Sequence, residues 1–301
     1  MTNIPGYAFD EVTLIDKGVS EDKKYRVRTT DGCLMLLRIS DIKEYERKKT
    51  MYSFMERASA LGVPMSRPVC FGICDNGKSV YSLLSWCEGD TADVLLPQLT
   101  EAEQYKLGVK SGEALRLIHT IPAPDGLMNW RERFIDKYDK RVKSFHGCGV
   151  EIDGSDEMFA YYLQNINLLS DRPQCFNHGD YHCENLMVSD KLDVSVIDWD
   201  LFDDNIYGDP WNEFNRILST KVHPYFTTGL LHGYFRGEPP EEFWQLLMFY
   251  LSAGVLQLVP WAALIEPRFL DECKQTAIDV LEWYDGMKNI LPTWYVRNLL
   301  G

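Results

Sequence analysis

The feature that most constrains this chain is a polar loop followed by two short apolar runs, within residues 177–200. The runs, residues 186–188 and 194–197, are separated by a polar turn, a pattern typical of a β-hairpin. Asn185 stands directly before the first run, and Asp198 stands directly after the second. A hairpin would bring these two side chains together, because the first and last residues of an antiparallel pair lie side by side.

A third polar side chain, Asp180, precedes Asn185 by five positions. That interval separates the Asp and Asn of the loop H-R-D-x-x-x-x-N in kinases, where a metal-binding Asp follows at the place of Asp198. Phosphoryl transfer needs a carboxylate that orients the attacking hydroxyl, and oxygen ligands that hold magnesium on the phosphates. We therefore interpret Asp180 as the catalytic group, and Asn185 and Asp198 as Mg²⁺ ligands.

Three spaced motifs resemble those of the aminoglycoside phosphotransferase and choline kinase family. In that family H-G-D replaces H-R-D, and I-D-[FW]-[DE] replaces the D-F-G triplet of protein kinases. The resemblance extends over residues 14–216 and implies transfer of the γ-phosphoryl of ATP or GTP to a hydroxyl of a small molecule. The motifs are His178-Gly179-Asp180 with Asn185, Ile197-Asp198-Trp199-Asp200, and Gly208-Asp209-Pro210.

The resemblance also implies an α+β, bilobal, protein-kinase-like fold. Residues 1–85 would form a small N-terminal lobe that binds the nucleotide, and residues 86–301 a larger, mainly helical lobe for catalysis and acceptor binding. Local patterns agree with this division. An amphipathic helix is predicted over residues 41–61, and a capping box at Thr100 predicts the start of another. Strand-like runs bounded by turn residues occupy residues 25–28, 34–39, 69–74 and 80–85.

Five residues of the predicted N-terminal lobe and linker match positions that hold the nucleotide in the family. The turn that contains Gly18, Ser20 and Lys23 corresponds to the loop over the phosphates, where a glycine lets the backbone approach closely. Ser85 and Cys87 follow the last predicted strand, where the family's linker binds the purine through its backbone.

Arg38 departs from the family pattern, because it stands where a kinase strand carries the lysine that contacts the phosphates. A planar guanidinium and a compact ammonium are not interchangeable in such a site. We predict that Arg38 contacts phosphate. Glu44 or Glu46 could pair with it, as a helix glutamate pairs with the lysine of kinases.

An acidic run follows the metal-binding motif, with no Lys or Arg among residues 198–213. Such a run is neutralised by magnesium, by a polycationic acceptor or by water. We predict that part of it lines a pocket for a cationic small molecule. The residues predicted to contact the acceptor are Asp200, Asp203, Asp204 and Glu213.

Composition excludes some partners. The net charge of −14 and pI near 4.9 argue against binding to nucleic acid, whose phosphates attract Lys and Arg. Eight scattered cysteines without a signal peptide ahead of them favour reduced thiols and a cytoplasmic protein. Residues 243–265 contain no charge over a membrane-spanning length, but Pro260 interrupts them. We predict two buried helices there and no membrane contact.

The motifs specify the reaction and leave the acceptor open. An aminoglycoside antibiotic is the first candidate. Metabolic alcohols such as choline, homoserine or a sugar form the alternative class. A pseudokinase that binds nucleotide without turnover is favoured only by Arg38, and a protein kinase is disfavoured because no A-P-E-like segment follows Asp198. The oligomeric state does not follow from the sequence.

Overall fold

The structure is a computed structural model that describes residues 4–16, 22–199, 206–219, 222–297 and 299, with the side chains of 218 and 219 excepted. The chain folds into two compact units. The first comprises Met1–Leu95 and Glu184–Asp204, and the second comprises Leu96–Cys183 and Asn205–Gly301. The mixed α+β class is confirmed, whereas the lobe boundary after Ser85 stays a prediction.

The first unit is built on a five-stranded antiparallel sheet in the order β1-β2-β3-β5-β4. Its central residues Val27, Leu37 and Leu83 are buried, as alternating apolar side chains of a one-sided sheet require. The strands are β1 (Phe9–Ile15), β2 (Lys23–Thr29), β3 (Leu34–Asp41), β4 (Pro68–Cys74) and β5 (Ser79–Ser85).

Helix α1 (Tyr45–Ala60) follows a short 3-10 turn and packs on β4 and β5. Its buried residues recur every three to four positions, which confirms the predicted amphipathic helix. Gly62 ends it with a φ of 82°, a left-handed conformation that glycine adopts at little cost. The buried face of α1 consists of Met51, Phe54, Met55 and Ala58.

The predicted hairpin is confirmed as strands β8 (Leu186–Val188) and β9 (Val194–Val196). With β6 (Asp90–Thr91), which precedes the short helix α2 (Ala92–Leu95), they form a three-stranded sheet. The hairpin is fixed to the segment after α1, because the N–H of Val196 donates to the carbonyl of Pro64 at 2.8 Å. The hairpin, with the predicted metal ligands at its end, is thereby tied to the first unit.

The second unit is mainly helical, with one short strand pair. The predicted capping box is present, because the Thr100 hydroxyl accepts from the N–H of Glu103 and the Glu103 carboxylate accepts from that of Thr100. The elements are α3 (Glu101–Ile118), α4 (Trp130–Lys143), α5 (Ser155–Asn165), β7 (Cys175–Phe176), β10 (Tyr207–Gly208), α6 (Pro224–Phe235), α7 (Glu241–Leu264) and α8 (Leu270–Trp283).

The prediction of two helices over residues 243–265 is wrong, because α7 runs through Pro260 without a break. Its apolar surface packs on α4, α5 and α8, and this burial offsets the hydrogen bond that proline removes. By length and composition α7 could cross a membrane, but 78% of its most apolar window is buried inside the fold. That burial is typical of a core helix.

Helices α3 and α6 cross with their backbones in direct contact. A Cβ added at Gly112 would lie 1.9 Å from the carbonyl oxygen of Leu230, and one at Gly229 would lie 2.2 Å from that of Tyr105. Gly108 and Gly233 make equally close approaches. In each helix the two glycines are four residues apart, so they lie on one face. The sequence analysis missed this crossing.

Candidate active site

The first unit carries the predicted metal ligands at the end of the β8–β9 hairpin. The N–H of Ile197 donates to the carbonyl of Asn185 at 3.0 Å, which extends the strand pairing to the residue before Asp198. Asn185 is buried, whereas 34% of the Asp198 side chain is exposed. An amide oxygen and a carboxylate suit magnesium, which prefers oxygen ligands, so these residues fit the metal that the motif implies.

Asp198 has a φ of 56°, in the left-handed region that few residues other than glycine adopt. Aspartate tolerates this conformation better than most residues, yet a cost of about 1 kcal/mol remains. Such conformations cluster at functional sites, where they aim a side chain. Here the turn directs the Asp198 carboxylate to Arg38, whose Nη1 lies 3.2 Å from Oδ1.

Arg38 on β3 belongs to a buried charge cluster. Its Nε and Nη2 donate to Oδ2 of Asp22 at 3.0 and 2.8 Å. The same oxygen accepts from Nζ of Lys48 on α1 at 2.6 Å, and Oδ1 accepts from the Ser40 hydroxyl at 2.6 Å. Burial alone would raise the pKa of Asp22, but the charge of Arg38 and the Lys48 and Ser40 hydrogen bonds outweigh it and hold that pKa well below its usual value.

A cavity of about 50 Å³ lies beside this cluster within the first unit. Arg38, Lys48 and Asp198 supply its charged lining. Apolar side chains supply much of the rest, including Leu36, Met51 and Trp199. Charges that face such walls interact more strongly than they would in bulk water.

The second unit carries Asp180, in the loop between β7 and the hairpin. His182 Nε2 lies 3.2 Å from Oδ2 of Asp180, and Arg216 Nη1 lies 3.9 Å from Oδ1. Burial would raise the pKa of Asp180, but the His182 hydrogen bond and the charges of His182 and Arg216 outweigh it and lower that pKa to about 2. Asp180 is therefore ionised at neutral pH and held from two sides.

The backbone on either side of Asp180 is anchored inside the second unit. The N–H of Gly179 donates to Oε1 of Glu213 at 2.8 Å. The hydroxyl of Tyr181 donates to the carbonyl of Ser111 on α3 at 2.7 Å. Because both neighbours of Asp180 are tied to buried partners, the loop has little freedom to move its carboxylate.

Glu213 in turn packs beside a histidine. Its Oε2 lies 3.6 Å from Nε2 of His119, whose Nδ1 lies 2.9 Å from the hydroxyl of Tyr234 on α6. Burial would raise the pKa of Glu213, but His119 outweighs it and lowers that pKa. His119 thus supports the carboxylate that holds the loop of Asp180.

A model of the phosphotransferase enzyme family matches residues 11–244. The chain belongs to this family. It is a small-molecule phosphotransferase. No curated protein matches the sequence.

Solved structures similar to this phosphotransferase share the fold at low identity. The macrolide 2'-phosphotransferase MphH from Brachybacterium faecium is 15% identical, with a TM-score of 0.61 over 90% of this chain and 93% of that chain. The amicoumacin kinase hAmiN, in complex with AMP-PNP, Ca²⁺ and Ami, is 15% identical, with a TM-score of 0.58 over 95% and 92%. The ADP-bound aminoglycoside phosphotransferase APH(2'')-Ib is 14% identical, with a TM-score of 0.58 over 90% and 94%. These likenesses confirm the protein-kinase-like fold.

Glu44 and Glu46, suggested as partners of Arg38, have other surroundings in the described part of the phosphotransferase. Glu44 accepts from Nε of Arg47 at 2.7 Å, and Glu46 is exposed. Among the described residues, Arg38 instead binds two carboxylates, Asp198 and Asp22, the latter from the segment before β2. The helix contributes the cation Lys48 to this cluster. No spacing in the sequence indicated Asp22, Lys48 or the Arg216 that faces Asp180.

The other residues predicted to bind the nucleotide differ in their surroundings. Lys23 is exposed at the start of β2. The Ser85 hydroxyl accepts from the N–H of Arg67 at 2.8 Å. Burial raises the pKa of the Cys87 thiol. Gly18 and Ser20 lie outside the described residues, as do the predicted acceptor residues Asp200, Asp203 and Asp204.

Glu213, predicted from sequence to contact the acceptor, is 4% exposed and bound to the catalytic loop. We therefore assign it a positioning role as a proposal. Asp209, of the third motif, binds Arg172 and Tyr250 through its carboxylate, at 2.6 and 2.7 Å. Its backbone carbonyl reaches the loop, where it accepts from the side-chain amide of Asn177 at 3.4 Å.

Glu213→Gln is expected to lower kcat by roughly ten- to a hundredfold, because it removes the charge that faces His119 and loosens the loop. The acceptor KM should stay within about twofold of wild type, since the side chain holds the loop and not the substrate. Steady-state kinetics at low and high salt measure both constants. The exposed Glu282→Gln is the matched control. A large, salt-dependent rise in KM at constant kcat would show that Glu213 contacts a cationic acceptor after all.

Proposed function

We propose that this phosphotransferase moves the γ-phosphoryl of ATP or GTP to a hydroxyl of an aminoglycoside. The observation that carries the phosphoryl-transfer part is Asp198, a carboxylate at a left-handed turn that faces Arg38 beside the cavity. With the neighbouring Asn185, it supplies the oxygen ligands that a magnesium nucleotide requires. Asp180 supplies the group that acts on the acceptor.

In this mechanism Asp180 accepts a hydrogen bond from the acceptor hydroxyl and directs its oxygen at the γ-phosphorus. The new bond joins that oxygen to phosphorus, and the bond from phosphorus to the bridging oxygen breaks, so the nucleoside diphosphate leaves. The hydroxyl proton passes to Asp180 and then to water. With a pKa near 2, Asp180 acts mainly by orientation and charge, and positioning supplies most of the rate.

Charged side chains take part in the proposed transfer. Asn185 and Asp198 would hold magnesium, which would supply positive charge to offset the charge that develops on the phosphates. Arg38 carries a fixed positive charge beside Asp198 and contacts a phosphate oxygen. His182 and Arg216 keep Asp180 ionised and prevent its carboxylate from turning away from the acceptor.

Charge favours an aminoglycoside among the small-molecule acceptors. The net charge of −14 attracts polycations. Asp200, Asp203 and Asp204 form an acidic run with no cation among them. Similar structures named for aminoglycosides and macrolides support an antibiotic acceptor. A single exposed ion pair contributes about 1 kcal/mol or less, so recognition requires several carboxylates together.

Asp198→Ala is expected to abolish the gain in nucleotide affinity that magnesium gives the wild-type protein, because it removes one of the two oxygen ligands. Calorimetric titration with ATP and with GTP, each with and without Mg²⁺, measures that gain. Asp190→Ala, an exposed aspartate in the turn of the same hairpin, is the control. Equal magnesium-dependent affinities in wild type and Asp198→Ala would refute the metal-binding role.

Nucleotide consumption across a panel of aminoglycosides, macrolides, choline, homoserine and sugars identifies the acceptor. We expect turnover with an aminoglycoside, at a KM that rises with ionic strength and with the double substitution Asp203→Asn, Asp204→Asn. Turnover confined to a metabolic alcohol would replace the aminoglycoside by that class. Tight nucleotide binding without any turnover would identify a pseudokinase.

A further inference from the structure

The cluster around Asp22 places two cations against one buried carboxylate. Asp22 is 7% exposed, and Arg38 and Lys48 are 10% and 11% exposed in their side chains. Oδ2 of Asp22 accepts from three nitrogen atoms, two of Arg38 and one of Lys48, all within 3.0 Å. Burying an ion pair usually brings little net stability, and a third buried charge adds a further cost of desolvation. Stability alone therefore does not account for Lys48.

Charge balance in the described cluster depends on Asp198. In the contacts between described residues, the carboxylates of Asp22 and Asp198 face the cations of Arg38 and Lys48. In the proposed function, the Asp198 carboxylate would bind magnesium. Asp22 then faces two cations, and this part of the site attracts an anion.

The side chains of Arg38 and Lys48 line the same cavity. Arg38 comes from β3 and Lys48 from α1, and both line the cavity that Asp198 also lines. Lys48 carries three N–H donors, so it can hold Asp22 and a phosphate oxygen at the same time. The guanidinium of Arg38 donates hydrogen bonds to both Asp22 and Asp198, so it links the two carboxylates.

We propose that Lys48 is a second phosphate-binding cation of the nucleotide site and that Asp22 is the positioning residue that aims both Lys48 and Arg38. The nucleotide phosphates are then held by an arginine from the sheet and a lysine from the helix. This inference deepens the proposed function and rests on it.

The test compares Lys48→Met, which keeps the length of the side chain and removes its charge, with Lys48→Arg and with Lys49→Met on the exposed face of α1. Magnesium-ATP and inorganic tripolyphosphate are titrated by calorimetry. Loss of one charge-assisted hydrogen bond should weaken both ligands about tenfold in Lys48→Met. Lys48→Arg keeps the charge in a different geometry, so it should lose less affinity than Lys48→Met, and Lys49→Met should be unchanged.

Asp22→Asn tests whether Asp22 positions the two cations or competes with phosphate for them. If Asp22 aims the two cations, this variant binds magnesium-ATP more weakly than wild type. If Asp22 merely occupies the place of a phosphate, removal of its charge tightens binding, and that result would overturn its positioning role. A fall in melting temperature with unchanged affinity for magnesium-ATP would show that the cluster has only a structural role.

A measurement on the wild-type protein avoids any dependence on variant folding. Lysines are acetylated under limiting reagent, with and without magnesium-ATP, and the modified residues are quantified by mass spectrometry. We expect the nucleotide to slow acetylation of Lys48 and to leave Lys49 unaffected. Equal rates at Lys48 would overturn the inference while nucleotide binding persists. A wild-type protein that binds neither ATP nor tripolyphosphate would instead refute the proposed function.

Discussion

Replacing Asp180 by asparagine is expected to lower kcat by about two to four orders of magnitude, the range that a positioned general base contributes. Asparagine keeps the size of the side chain and an oxygen that His182 can reach, so the loop should keep its shape. It loses the negative charge that orients the acceptor hydroxyl. Nucleotide affinity should change little, because Asp180 acts on the acceptor in the transition state.

Single-turnover kinetics with a confirmed acceptor, together with nucleotide titration, check this expectation. Asp156→Asn, an exposed aspartate of the same unit, controls for the loss of one charge. A turnover rate in Asp180→Asn close to that of wild type would remove Asp180 from the mechanism.

The low pKa of Asp180 also shapes the expected pH profile. A carboxyl with a pKa near 2 is ionised throughout the range above pH 4. Loss of activity between pH 5 and 7 would therefore have to come from another group. The folded-state pKa lies below the unfolded one, so the contribution of Asp180 to stability is present above the unfolded value near 4. That contribution is lost as the pH falls toward 2.

Gly112→Ala is expected to destabilise the phosphotransferase by about 2 kcal/mol or more, although alanine is the better helix former. The new methyl group would lie 1.9 Å from a carbonyl oxygen of α6, and a backbone atom cannot rotate away as a side chain does. The two helices must separate along their crossing, which loosens packing beyond the substituted residue. For a chain of this size the thermal midpoint should fall by roughly 4 to 8 °C.

Thermal unfolding followed by circular dichroism measures the shift. Gly147→Ala is the matched control, because no atom lies within 4 Å of an added Cβ and its backbone conformation suits alanine. The control should stay within about 0.5 kcal/mol of wild type. Identical midpoints for Gly112→Ala and Gly147→Ala would mean that the crossing tolerates a methyl group.

Local patterns predicted much of the fold. The β8–β9 hairpin, the buried face of α1 and the capping box at Thr100 followed from side-chain periodicity and turn chemistry, which are written within a few neighbouring residues. The same locality explains the error at α7. Pro260 is a strong local signal for a helix end, whereas the burial that keeps α7 continuous comes from helices distant in sequence.

The contacts that the sequence did not reveal join residues far apart in the chain. Asp22 meets Lys48 across 26 positions, and Arg38 meets Asp198 across 160. No motif records such a pairing, because a single charged residue looks the same whether it faces water or a partner. Glu213 shows the reverse problem. It stands in an acidic run that reads as a solvated or ligand-binding surface, yet it is buried against the loop.

The first unit is made of two separate chain segments, so it cannot be completed until the second segment has been synthesised. Its five-stranded sheet is made from residues that precede Leu95. Strands β8 and β9 of its three-stranded sheet come from a segment that begins at Glu184. At typical translation rates, on the order of ten seconds pass before that segment is made. Throughout this interval β6 and the backbone of Pro64 and Ser66 await their partners. A ribosome-bound chain should therefore add Asn185 and Asp198 to the first unit only after all residues of the five-stranded sheet have been synthesised.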